Sequence, residues 1–140
     1  MIIENDLLKD FNIFIKKKSI FGSLLNVLPD TPQSFSKFPT IVMKEQNNID
    51  NNIIKSLNLI EYGDNLVYQI DIYTKDIVIN SKKYASREVI NELRLLIHEF
   101  FRNCGFQRTD DSNSEYIDIS VKRRTLIFTG TIKNWNKSIM

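Results

Sequence analysis

The chain has 140 residues, 42% hydrophobic and 26% charged, enough apolar material for one soluble globular domain to bury a core without metals or disulfides. Nineteen basic against seventeen acidic residues leave a formal net charge of +2, too small by itself to mark a polyanion-binding surface. The single cysteine excludes an internal disulfide and fits a reducing compartment, and no apolar run approaches the roughly 18 residues of a membrane span.

The opening MIIENDLLKD is acidic and lacks a basic segment leading into an apolar one, so it does not read as a signal peptide. From Asn5 to Lys18, Leu7, Leu8, Phe11, Phe14 and Ile15 recur at the spacing of an amphipathic helix. Asn5 or Asp6 is the expected cap, and Lys16, Lys17 and Lys18 suit the negative end of the helix dipole, as a solvated terminus rather than a polyanion site. Residues 20–28 are ambiguous. PDTPQSFSKFP reads as a loop, because Pro29, Pro32 and Pro39 block regular pairing.

TIVMKEQ reads as a strand with Ile41 and Met43 on one face and Val42 and Lys44 on the other. Residues about 46–65, rich in asparagine, form a long variable connection. LVYQIDIYT is the clearest strand, with Leu66, Tyr68, Ile70 and Ile72 opposed to Val67, Gln69, Asp71 and Tyr73. From about Lys82 to Asn103, the stripe Ala85, Val89, Leu93, Leu96, Ile97 and Phe100 predicts a long core-packing helix, capped by Ser81 or Ser86. SEYIDISV then alternates at Ile117, Ile119 and Val121. KRRTLIFTGTI continues with Leu126 and Phe128 opposite Ile127 and Thr129, as one strand or as two broken near Lys122. A C-terminal tail, about 134–140, closes the single domain.

The order helix, strand, strand, helix, strand region predicts an α+β fold, a mainly antiparallel sheet with one or two helices packed on one face. The other face is then short of cover. With Val67 and Tyr73 on it, that face points to association with another subunit.

The one cysteine and the one histidine are the first candidates for chemistry. Cys104 and His98 are six residues apart on one helix, so their side chains leave it about 120° apart and do not share a proton. The stretch FFRNCGFQRT instead predicts a helix end, with Cys104 as C-cap, Gly105 in a left-handed conformation, and Phe106 packed on Phe101. One His and one Cys do not make a zinc tetrad, and the run that starts at DDSNSEYID puts neither glycine sixth nor glutamate twelfth, as a calcium loop requires. The four glycines are isolated, so there is no phosphate loop, and Asp64, Asp71 and Asp76 are scattered. The expectation is a protein that is not an enzyme, with no catalytic residues, no metal and no cofactor. VKRRT is the best basic cluster. In a strand Lys122 and Arg124 share one face and Arg123 takes the other, which reads as subunit salt bridges or a solvated edge before a phosphate surface with Arg108 and Lys133.

Taken in order, KFPTIVMKE, LVYQIDIYTKD, a long helix ending CGFQRT, and RRTLIFTGTI resemble the tail-terminator or tail-completion proteins of long-tailed bacteriophages. The likeness runs from Lys37 to Ile132, with DDSNSEYID where that family has a proline-containing stretch. The resemblance implies a structural virion protein assembled in the host cytoplasm. Its subunits form a ring, a hexamer as a rule, at the head-proximal end of the tail tube. Its implied partners are copies of itself, the tail tube protein and the head-tail connector, with passing contact to DNA in the lumen and none to membrane. Val67, Asp71, Tyr73, Arg108, Lys122, Arg123 and Arg124 are the expected interface residues. The competing readings are a neck or head-completion protein of the same virion and a small nucleic-acid-binding module that uses Arg108 and Lys122 to Arg124.

Overall fold

The structure is a computed structural model that describes residues 2–35, 37–45, 65–114 and 120–131. The expected connection at 46–64, the alternation at Ile117 and Ile119, and the tail at 134–140 lie outside the described residues. Helix α1 (Ile2–Lys18) is followed by β1 (Asn26–Leu28), β2 (Thr40–Glu45), β3 (Asn65–Thr74), β4 (Ile77–Ile79) and β5 (Lys82–Tyr84). Helix α2 (Ser86–Asn103), β6 (Gln107–Ser114) and β7 (Lys122–Thr131) complete the order.

Five strands form one sheet in the order β1-β2-β3-β7-β6, antiparallel except for the short parallel β1–β2 pair, and β4–β5 is a separate hairpin. The fold is therefore α+β with a mainly antiparallel sheet. Both helices pack on one face. Leu7, Phe11 and Ile15 of α1 and Val89, Leu93, Ile97 and Phe101 of α2 share one buried cluster with Ile41, Met43, Tyr68, Ile70, Ile72, Leu126 and Phe128. These are the alternate positions the period-two pattern assigns to one face. Phe101 is the hub: its ring stacks on Phe128 at 4.6 Å and meets Phe106 edge-on at 5.4 Å.

The end of α2 is a full Schellman motif. Phe106 N–H donates to the Phe101 carbonyl at 2.9 Å, Gly105 N–H donates to that of Arg102 at 3.0 Å, and Gly105 has φ 84°. The turn sends β6 back beneath the helix. Phe106 then lies over Gly130, where a Cβ would stand 2.6 Å from its ring, so the glycine in β7 is the seat for that phenylalanine.

Four expectations are corrected. Helix α1 begins at Ile2, so Asn5 and Asp6 lie inside it and neither is its cap. Helix α2 begins at Ser86 rather than near Lys82, because Lys82 to Tyr84 pair with Ile77 to Ile79 across a two-residue turn with positive φ at Asn80 and Ser81. Ala85 is its N-cap residue and Ser86 its first residue, and Asp76 supplies the cap from outside, its Oδ1 accepting the Ser86 N–H at 2.8 Å. The polar QRTDDSNS, to which the sequence pattern assigns no element, forms the edge strand β6, a position where charge and a bulge between Arg108 and Asp110 blunt unwanted pairing.

The fourth correction concerns cover. The proline-rich loop between β1 and β2 folds over the sheet face opposite the helices. It places Phe35 4.5 Å from the Tyr73 ring and packs Phe35 and Phe38 on Val42, Tyr73 and Val121. Half of that face is therefore dry within one chain. Tyr73, expected as exposed, keeps 2% of its surface.

Candidate functional site

The seven expected interface residues separate into two groups. Val67, Asp71, Tyr73 and Arg123 lie on the sheet face opposite the helices; Arg108 and Arg124 lie on the helix side, at the β6 edge; Lys122 is exposed at the start of β7, opposite Thr74. The expected division of Lys122 and Arg124 from Arg123 follows from strand alternation.

On the open face the node is Asp71, 1% exposed in the central strand. Its Oδ1 accepts the Thr125 hydroxyl at 2.6 Å and the Arg123 Nε–H at 3.2 Å, and its Oδ2 accepts from Gln69 Nε2 at 2.9 Å. Arg123 also lies over the Tyr73 ring, Cζ to centroid 5.4 Å. A buried carboxylate needs such partners to offset the water it has lost, and through them Asp71 locks β3 to β7. It marks the boundary between the dry half under the loop and a second half formed by Lys44, Val67, Gln69, Ile127 and Thr129, all partly exposed.

On the helix side the node is Asp111. Arg94 of α2 donates to its Oδ2 at 2.8 Å, Arg108 to the same oxygen at 3.1 Å, and Arg124 Nε to its Oδ1 at 2.6 Å. A second Arg124 nitrogen, Nη1, donates to Asn113 Oδ1 at 2.9 Å. Burial works against the charge of Asp111, but the bonds and charges of Arg124 and Arg94 outweigh it and hold the carboxyl below its ordinary value. His98 belongs here, edge-on to Phe128, with Nε2 3.2 Å from Arg108 Nη1. An arginine only donates, so this contact is a hydrogen bond when Nε2 carries no proton. Burial and the Arg108 charge push the His98 pKa down, against a smaller upward pull from Asp111.

Sequence reasoning placed Arg108 and Arg124 but missed Arg94, His98 and Asp111 as their companions. The legible signal was the four-residue step from Arg94 to His98, which puts both on one helix face, followed by a tight turn that returns the chain beneath that face. Cys104 lies elsewhere, buried, as the expected helix-ending residue. Asp110 and Asp111 oppose Ile127 and Leu126 and so take opposite faces of β6.

No family model matches the chain, and no curated protein is significantly similar to it.

Proposed function

We propose that the chain is a tail-terminator or tail-completion subunit of a long-tailed bacteriophage. It closes into a ring on the head-proximal end of the tail tube, stops tube growth and offers a surface to the head connector. The four stretches that carry the resemblance fall on β2, on β3, on α2 with its glycine turn, and on β7, which are the framework of the domain. The observation that carries the reading is the half-covered sheet face. The loop over Val42 and Tyr73 leaves Lys44, Val67, Gln69, Ile127 and Thr129 as a partly exposed terrace of mixed polarity on adjacent strands. Such a patch suits an interface repeated around an axis, where modest contacts recur at each subunit.

Burial refines the expected interface. Val67 and Lys122 are available for direct contact, whereas Asp71, Tyr73 and Arg123 support the terrace from within. The test is polymerisation of the cognate tail tube with the purified chain added far below the tube subunit. The expected result is arrested elongation and short tubes of narrow length distribution. Growth indifferent to the chain would overturn the assignment.

A further inference from the structure

The edge where α2 passes over β6 and β7 carries more positive charge than it needs to join these elements. Among the described residues, three guanidiniums converge on one carboxylate, three cations against one anion, and the charges that act on His98 are Arg108, Asp111 and Arg94 with no second acid among them. One arginine is enough to tie a helix to an edge strand. The second and third repel the first across the same two oxygens.

We infer that this edge is a binding site for a phosphate group. Asp111, whose side chain is 7% exposed, holds the three arginines from beneath, while Arg108, at 46%, is the most open of them. The bonds to Asp111, Asn113 and His98 occupy one or two N–H groups of each guanidinium, out of five apiece. Planar forks fixed in advance match phosphate oxygens and have already lost the rotamer freedom that binding would otherwise remove. An excess of two positive charges matches a dianion better than a single carboxylate. His98 adds a response. Facing it are Arg94 on its own helix, Arg108 and Asp111 on β6, and Phe128 on β7. A bound dianion offsets the Arg108 and Arg94 charges that, with burial, push the His98 pKa down, so binding raises it. The phosphate belongs either to a free phosphate compound or to a polynucleotide backbone, and the inference is independent of ring assembly.

His98 is the only histidine, so its imidazole resonances report on this site alone. The experiment is an NMR titration of the full chain with inorganic phosphate, pyrophosphate and a short oligothymidylate, each at constant ionic strength held with chloride. Saturable shifts and a raised His98 pKa are expected. Arg108→Gln should weaken binding about tenfold or more, as the loss of a charge-assisted bond implies. Arg94→Lys, which keeps the charge and removes the fork, should weaken it less, and Arg87→Gln at the start of α2 should leave it unchanged. Oligothymidylate binding that tightens with length and falls steeply with salt identifies a backbone as the source; equal or tighter pyrophosphate binding identifies a free compound. Absence of saturation with all three probes would overturn the inference. So would equal losses in Arg108→Gln and Arg87→Gln.

Discussion

Cys104 lies at the end of α2 near Asp10 of α1, where burial, aided by that acidic charge, pushes its thiol up to about 11. Thiolate is the reactive form, so the native thiol is about a hundredfold less available than an ordinary one. Thiol-reactive probes at pH 7.5 are expected to label the denatured chain about a hundredfold faster than the native one. Equal rates would place the sulfur at the surface. His98 gives a pH dependence of defined sign. Its folded pKa is lowered from 6.5, so in that window the unfolded chain binds more protons than the native one. Its stability contribution is fully present above 6.5 and is lost as pH falls through the lower folded value. Asp111, also lowered, adds a loss of the same sign below 3.8, whereas Glu92, raised by burial, acts in the opposite sense above 4.5. Comparison with His98→Gln isolates the histidine: urea melts from pH 7.5 to 5.5 should show a shallower loss of stability in the variant.

The helix–strand framework was legible because its periodicities are strong. The alternation in β3 and the apolar stripe of α2 named the buried faces correctly, and FFRNCGF specified its Schellman turn residue by residue, since only glycine takes φ 84° there without strain. The elements that escaped are short or polar. Edge strand β6 has no apolar alternation to reveal it, and the β4–β5 hairpin turns on Asn80 and Ser81 without the glycine that marks such turns. The cap of α2 was invisible for another reason: Asp76 is ten residues from the N–H it accepts, outside any local capping pattern. Asp76→Ala should therefore cost about 1 kcal/mol, as loss of a helix cap does; an unchanged denaturation midpoint would show that solvent replaces it. Gly130→Ala should cost about 1–3 kcal/mol, the range for overpacking, because the new methyl meets the buried Phe106 ring. Paired with Phe106→Leu, which frees space above it, the loss should shrink.

At the level of the molecule, the open sheet face shows what sequence pattern alone does not convey. Alternation identified that face but not its cover, because a loop over Val42 and Tyr73 is a tertiary event with no period. The arginine site escaped likewise, since Arg94, Arg108 and Arg124 come from three elements and meet only when α2, β6 and β7 are packed. The partly exposed terrace is where assembly should be sensitive. Val67→Glu places a charge there without entering the helix-side core, so the variant should keep its thermal midpoint within a few degrees and lose ring formation. A variant that still forms rings would move the interface to another surface.

Electron microscopy of the purified chain, alone and mixed with cognate tail tubes, tests the assembly account most directly. The account predicts closed rings and, in the mixture, rings seated on one end of each tube. Single globular particles in both samples, with bare tube ends, would contradict it.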